Sequence, residues 1–563
     1  MFTVLPDEEL ALLVVKAKLA DEKKVADARQ YAKNTNCSLH EALLENAVVA
    51  DEQLGQAIAA SLKIPFVTLG KMTITEEVFN IIPPVISRKQ KAVCFARDAK
   101  GIKVALASPN KKTIVEMVAK KTGQPVIVHL ATLQDIRNTL HIFKPDLQAT
   151  VNDLLKEDIG VTEGEILEDP PVVKLVDLLI NSAYEEKASD IHVEPEETNT
   201  LVRFRIDGLL TDMLQVPKYL HDRIITRIKV LSNLRTDEHL AAQDGKMRIR
   251  LEEEHLDIRV SIIPVADGEK TVLRLLSSRS RQYTLSDLGM SESDLKKVTN
   301  AYTKSYGMIL STGPTGSGKT TSIYSILKVL NTRDKNITTI EDPVEYRIKG
   351  ANQIQVNSKT DLTFANGLRS ILRQDPNIIF VGEIRDNETA GIAVNAALTG
   401  HLVLSTLHTN DAATAIPRLI DMKVEPFLVA STVTVIVAQR LVRQVCSNCK
   451  QAIKISSDAL IQMFPPEVIK RNFASQKEIT AYKGAGCKVC RGTGYFSRIG
   501  LFEVLEITES IRKLITDRTD SDVIAKAARE GGIINMIDDG LAKVVKGLTT
   551  LEEVQRVTKA EFL

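Results

Sequence analysis

The segment Gly313-Pro314-Thr315-Gly316-Ser317-Gly318-Lys319-Thr320 fits the pattern GxxxxGK[ST] at every fixed position. Its glycines let a backbone turn sharply and come close to an anion, so that several N–H groups point inward at phosphate oxygens. Lys319 is then placed to meet the β- and γ-phosphates, the Thr320 hydroxyl to hold Mg²⁺, and Thr321 to complete the cradle. A chance glycine-rich turn would not carry a buried strand pattern before it (Met308 to Ser311) and a helical period after it (Ser322 to Leu330). The motif predicts a site for ATP with Mg²⁺.

Phosphoryl transfer also needs a group that orients water and cations that take up charge in the transition state. Three later segments end apolar runs in such groups. Ile337-Thr-Thr-Ile-Glu341-Asp-Pro-Val-Glu345 ends in carboxylates, and Ile378-Ile-Phe-Val-Gly-Glu383-Ile-Arg385 follows. The third is Leu402 to His408, with His401 just ahead of it. In a parallel sheet the strand C-termini share one edge with the phosphate loop, so these groups can converge there. Glu383 is the first choice to polarise the water, with Glu345 and Glu341 as competitors. His401 and His408 are candidate sensors of the γ-phosphate. Alone, each carboxylate would read as a solvated loop residue; three in series after a phosphate loop do not.

A second chemistry lies further on. Cys446-Ser-Asn-Cys449 and Cys487-Lys-Val-Cys490 are two CxxC pairs, separated by 37 residues. A two-residue gap lets both thiolates of a pair grip one tetrahedral ion, and two pairs close a four-thiolate shell with no open position for water. This predicts a structural zinc site, with Gly484, Gly486, Gly492 and Gly494 supplying tight turns. A redox CxxC is the competing reading, and neither pair sits in a thioredoxin-like βαβ context. Cys37 and Cys94 read as ordinary packed thiols.

Holding these groups requires several modules, and 563 residues suffice for roughly three or four. An apolar content of 44% and a charged content of 26% describe a soluble globular chain. Lys plus Arg (73) nearly balances Asp plus Glu (72), so no global field favours nucleic acid or acidic lipid. No apolar run is long enough to span a bilayer, and residues 1–20 lack a signal pattern. A cytoplasmic location follows, peripheral to the membrane only through partners. Residues 1–143 alternate helical and strand patterns, as a small α/β docking module would. Residues 144–169 turn acidic and read as a flexible linker. A second α/β module occupies 170–282, the nucleotide domain 283–500, and a mostly helical segment 501–563.

These motifs together resemble the secretion and pilus motor ATPases, the family of type II secretion and type IV pilus assembly ATPases. The carriers are the phosphate loop, the acidic box Ile340-Glu-Asp-Pro-Val-Glu345, Val381-Gly-Glu-Ile-Arg-Asp386, and the histidine box Leu398 to Asp411. The resemblance runs from about residue 170 to 557 and departs at Asn377, where the family usually has Asp. It implies a RecA-like nucleotide domain preceded by a PAS-like α/β module, assembled as a homo-hexameric ring. It further implies that Arg259 and Arg274 reach the phosphates from the second module, with Arg369 and Arg373 a similar pair inside the nucleotide domain. A guanidinium suits that task, since its fork donates to two phosphate oxygens and never loses its charge.

The cysteine quartet and the N-terminal module are what assembly ATPases of this family carry and retraction ATPases lack. The expected activity is therefore ATP hydrolysis that drives pilus extension through an inner-membrane platform protein. A type II secretion ATPase pushing a pseudopilus is the alternative, and a nucleic-acid motor a more distant one. Some relatives bind cyclic di-GMP through an Arg-Leu-Gly motif in the N-terminal module. That tripeptide is absent here, where the comparable stretch reads Asn36-Cys-Ser-Leu-His-Glu-Ala-Leu.

Overall fold

The computed structural model describes residues 5–558 except 36–37, 46–47, 50, 73, 110, 144–145, 158–170, 252–254, 277–283, 474–475 and 477. Two units emerge: Met1–Pro145 with the Gly486–Thr493 turn, and Asp146–Ala485 with Gly494–Leu563. In the first unit, helices such as Leu39–Glu45 and Asp51–Leu62 precede a three-stranded sheet. Its strands are β1 (Ala92–Asp98), β2 (Gly101–Leu106) and β3 (Val126–Leu130), with β1 antiparallel and β3 parallel to β2. Cys94 is a buried thiol there, pushed up to about 12 by burial, in keeping with a packing role. Cys37 lies outside the described residues.

The stretch read as a linker is in part a helix, Leu147–Glu157, while residues 158–170 lie outside the described ones. Acidic composition hid the spacing of Leu147, Val151, Leu154 and Leu155, which puts one apolar stripe on one face. That stripe packs into the core of the second module. Gln148 also covers an open sheet edge: its amide donates to the Gln215 carbonyl at 3.0 Å and accepts the Gln215 N–H at 2.8 Å.

The second module is an antiparallel sheet of six strands, in the order β6-β5-β4-β9-β8-β7. These are β4 (Asp190–Pro195), β5 (Asn199–Ile206), β6 (Leu209–Pro217), β7 (Gln243–Arg250), β8 (His255–Val265) and β9 (Gly268–Leu276). Buried and exposed residues alternate along β5 and β8, so one face is apolar. Helices Val172–Glu185 and His221–Leu231 share one core with that face.

The nucleotide domain is a seven-stranded sheet, in the order β12-β11-β13-β14-β10-β15-β18. Its strands are β10 (Gly307–Thr312), β11 (Ile337–Glu341), β12 (Ala351–Gln355), β13 (Ile378–Val381), β14 (Leu402–Leu407), β15 (Val433–Val445) and β18 (Tyr495–Glu506). All neighbours run parallel except β15 and β18. The strands buried on both faces are rich in apolar residues along their length, as parallel strands between two helical layers must be. A hairpin of β16 (Lys450–Ser456) and β17 (Glu478–Gly484) lies between β15 and β18 in the chain. The division expected at 500/501 therefore falls inside a strand. Buried Leu501, Phe502, Val504 and Leu505 close the sheet, and the helical C-terminal segment starts only at Glu509.

Candidate functional site

The sheet register sets the site. Thr312 at the end of β10 pairs with Leu407 on β14 and with Ala438 on β15, while Ile340 on β11 pairs with Val381 on β13. The residues that follow, Glu341, Gly382, Glu383, His408 and Gly313, therefore leave the sheet along one edge. Gly313, Gly316 and Gly318 take φ values of +142°, +79° and +90°, a region that a side chain would strain. A Cβ on Gly313 would sit 2.5 Å from the Gln439 carbonyl oxygen, so the loop is seated hard on β15. Helix Lys319–Leu330 starts directly after Gly318, placing its N-terminal N–H groups at the loop. Lys319 is buried and its Nζ donates to the carbonyls of Gly313 (2.8 Å) and Pro314 (3.1 Å). Burial lowers its pKa, and the nearby Glu383 charge opposes that shift. The ammonium thus curls into the cradle an anion would fill. Pro314, Thr315 and Gly316 are exposed, and Thr320 and Thr321 are half-buried at the helix start.

Of the three glutamates, Glu383 stands nearest the expected arrangement. Its carboxylate is mostly buried, 13% exposed, and accepts from Arg385 at 2.5 Å and His408 Nε2 at 3.1 Å. Gly382 before it lets two strand ends close: its N–H donates to the Ile340 carbonyl at 2.8 Å, and a Cβ there would press on Glu341 Cα at 3.2 Å. Glu341 is different. It is 2% exposed and enclosed by donors: the Thr339 hydroxyl (2.6 Å), the Gln353 amide (3.2 Å) and the Tyr324 hydroxyl. Burial raises its pKa, and the surrounding donors offset part of that. With its oxygens engaged inside the domain, Glu341 is a buried structural carboxylate and not a poised base. Glu345 lies on the exposed side, paired with Arg259 at 3.2 Å.

One expected position, His401, is on the far end of the sheet. His401 precedes β14, its carbonyl accepts from Gly307 at the start of β10, and its Nδ1 faces the Ala396 carbonyl at 3.0 Å. A six-residue strand separates it from the phosphate loop, a span of about 20 Å. His401 therefore cannot sense a γ-phosphate from there. Asn377 sits at that same far end, where its Oδ1 accepts the Asn336 N–H at 2.7 Å. Its role is to join two strand starts, which an amide does as well as a carboxylate.

The arginines divide. Arg259 reaches from β8 to the nucleotide domain, where its Nη2 donates to the Val344 carbonyl at 2.9 Å beside the Glu345 contact. A cleft of about 540 Å³ opens there, with Lys246, Arg248 and Arg259 on one wall and Glu345, Tyr346 and Arg347 on the other. Arg274 instead pairs with Asp190 of its own module at 2.9 Å. Arg369 pairs with Glu388, and Arg373 donates to the Arg369 carbonyl at 3.1 Å. The structure does not gather these three with Lys319.

Sequence reading missed Gln439. It is 2% exposed, its Nε2 donates to the Ser317 carbonyl at 2.7 Å, and its Oε1 accepts from the Ser322 hydroxyl at 2.7 Å. One buried amide thus ties the phosphate loop to the helix that follows. The available signal was a polar residue ending the apolar run Val435 to Ala438.

Comparison with known proteins turns this geometry into a family. The description "Type II/IV secretion system protein" matches residues 165–556, and "MshEN domain" matches 62–148. The chain belongs to the type II/IV secretion system protein family. It is 36% identical over 561 residues to the type IV pilus assembly ATPase PilB of Myxococcus xanthus, covering 97% of this chain and 98% of that one. It is 44% identical over 415 residues to the type II secretion system protein E of Pseudomonas aeruginosa, covering 73% of this chain and 80% of the relative. The solved structure of the Legionella pneumophila ATPase DotB shares the fold, with a TM-score of 0.51 at 22% identity, 72% of this chain and 100% of that chain covered. This type II/IV secretion protein is an ATPase.

The secretion ATPase also gathers its cysteines. The thiols of Cys446, Cys449, Cys487 and Cys490 all lie within 4.8 Å of one another. The Sγ atoms of Cys487 and Cys490 are 3.7 Å apart. A tetrahedron with metal–sulfur bonds of about 2.3 Å has edges of about 3.8 Å, so the spacing fits a four-thiolate ion site. Gly484 and Gly494 face each other so closely that a Cβ on Gly484 would lie 2.0 Å from the Gly494 carbonyl oxygen. The Cys446 N–H donates to that carbonyl at 2.9 Å. Among the described residues no helix is long and apolar enough to cross a membrane.

Proposed function

We propose that this ATPase is the extension motor of a type IV pilus, a cytoplasmic homo-hexameric ring acting on an inner-membrane platform protein. The similarity to PilB over nearly the whole of both chains, N-terminal unit included, carries this reading. ATP phosphates settle on the N–H groups from Gly313 to Lys319, and Lys319 exchanges the Gly313 and Pro314 carbonyls for phosphate oxygens. Glu383, steadied by His408 and Arg385, orients the attacking water. Bound Mg²⁺, with the Thr320 hydroxyl as its candidate ligand, supplies neutralisation of phosphate charge. Arg259 already crosses between modules, and moving from Glu345 to the γ-phosphate would make the cleft close with ATP and relax after hydrolysis. Arg274, Arg369 and Arg373 join this set only if the ring rearranges their present ion pairs. The four thiolates hold zinc as a closed, structural site.

The 44% identity to type II secretion protein E over the ATPase portion supports a second reading, a pseudopilus motor with the same site chemistry. A deletion strain complemented with wild type or with Glu383→Gln decides between them. Loss of sheared surface pili, restored by wild type alone, supports pilus extension. Intact pili with failed protein secretion replaces it with the type II reading.

A further inference from the structure

We infer that Glu503 is a positioning residue for ATP hydrolysis, fixing the loop that presents His408 to Glu383. Glu503 lies on β18, opposite Ala438 of β15, and its Oε1 accepts the Ala412 N–H at 2.9 Å. That N–H belongs to the loop leaving β14. At the loop's start, His408 reaches Glu383 at 3.1 Å. Between the two, the Thr409 hydroxyl donates to the Asp411 carbonyl at 3.0 Å, and Asp411 Oδ1 accepts the Thr414 N–H at 2.8 Å. The Thr312 hydroxyl, directly ahead of the phosphate loop, reaches the same Asp411 carbonyl at 3.4 Å. The loop is short and internally bonded, so a pull at Ala412 is transmitted to His408.

The anchor itself is held from behind. On helix Met536–Val545, Asp539 accepts the Phe502 N–H at 2.8 Å, and Lys543, ion-paired with Asp539, donates to the Gly500 carbonyl at 2.7 Å. On helix Glu292–Tyr302, Asp294 pairs with Lys297 at 3.0 Å, and Lys297 points at the Val504 carbonyl. The charged groups that act on Glu503 are Asp411 of the loop, Asp294 of helix Glu292–Tyr302 and Arg529 of helix Ser521–Glu530. Burial pushes its carboxyl up to about 7. Asp411 and Asp294 add to the rise, while the Ala412 N–H and Arg529 oppose it. An ionised carboxylate holds an N–H more tightly than a neutral one. The grip on the loop thus strengthens as pH rises through neutrality.

This inference rests on the Glu383–His408 assignment, and the test separates the two. Steady-state phosphate release by the full-length protein is followed from pH 6 to 8.5 for wild type, Glu503→Gln, Glu503→Asp and Glu383→Gln. Glu503→Gln keeps the shape and an acceptor but cannot ionise. Its kcat should fall about fivefold at pH 8 with the KM for ATP unchanged, and the rise of wild-type kcat through neutral pH should flatten. Glu503→Asp should keep the pH-dependent rise at a lower kcat. A Glu503→Gln profile that superimposes on wild type overturns the inference, because the step then belongs to another group. Full activity in Glu383→Gln would instead sink the site assignment itself.

Discussion

Replacing Gln439 by Leu keeps the approximate volume and deletes both hydrogen bonds that clamp the phosphate loop. The Ser317 carbonyl loses a donor at 2.7 Å in a place water does not reach, and the Ser322 hydroxyl loses its acceptor. An orphaned buried polar group costs about 1–3 kcal/mol. Ser322 can turn back to the Gly318 carbonyl one helical turn away, so its share is small. The sum is about 1–3 kcal/mol of domain stability, carried mainly by the Ser317 carbonyl. The consequence for binding follows from the peptide joining Ser317 and Gly318. With the Ser317 carbonyl drawn toward β15, the Gly318 N–H is turned into the cradle; released, that peptide is free to flip. If the competent loop falls to about a tenth of the population, ATP affinity falls about tenfold. Titration of a fluorescent ATP analogue into wild type and Gln439→Leu measures this, with denaturant unfolding alongside. An affinity within twofold of wild type, together with unchanged stability, would refute the clamp and leave Gln439 as mere packing.

Other consequences are more direct. Glu383→Gln should bind the same analogue normally and lose about 10²–10⁴-fold in kcat, measured as phosphate release, the range of one positioned proton-transfer group; normal turnover would transfer the role to Glu345. Glu503 has a folded pKa of about 7, above its unfolded value of 4.5, so its favourable contribution is complete below pH 4.5 and lost as pH rises to 7. Wild type should lose about 3 kcal/mol of stability over that window relative to Glu503→Gln, read from unfolding midpoints at pH 5 and 8. Cys487→Ser should abolish stoichiometric metal in elemental analysis and make the segment between Cys449 and Cys487 a site of limited proteolysis; a metal content equal to wild type would remove that cysteine from the site.

The phosphate loop, Glu383, His408 and the cysteine quartet were legible because each is a local pattern: fixed spacing, or a charge at the end of an apolar run. Failures came where the deciding fact was three-dimensional. His401 and His408 flank the same strand, and only strand direction tells which one lies at the edge that carries the phosphate loop. Glu341 and Glu345 lie four positions apart in one motif, yet one is enclosed by Tyr324, Thr339 and Gln353 and the other faces Arg259. Helix Leu147–Glu157 was masked by the acidic run that follows it in the chain, since composition averages over the whole stretch while the apolar stripe of one helix face meets the core. Gln439 and Glu503 had no motif at all. Each acts on a loop whose distance in sequence is about a hundred residues or more, 122 for Gln439 to Ser317 and 91 for Glu503 to Ala412.

Those two residues also explain why the sheet ends in an antiparallel pair. Ala438 pairs with Glu503 and Gln439 with Phe502, so the clamp on the phosphate loop and the anchor of the His408 loop stand one rung apart on one ribbon. A slip of β18 by a single residue would turn Glu503 to the opposite face and release Ala412. The ribbon runs on past the nucleotide edge to the Val445–Tyr495 pair, with Cys446 the next residue on one strand and Gly494, which accepts the Cys446 N–H, just before the other. The cysteine element therefore closes the far end of the ribbon about 20 Å from Gln439. An ion joining the two CxxC pairs would fix the end at which β15 and β18 are otherwise free to shear. A metal held there would need no part in the chemistry to matter for it, because the register it would lock is the register that sets both nucleotide loops.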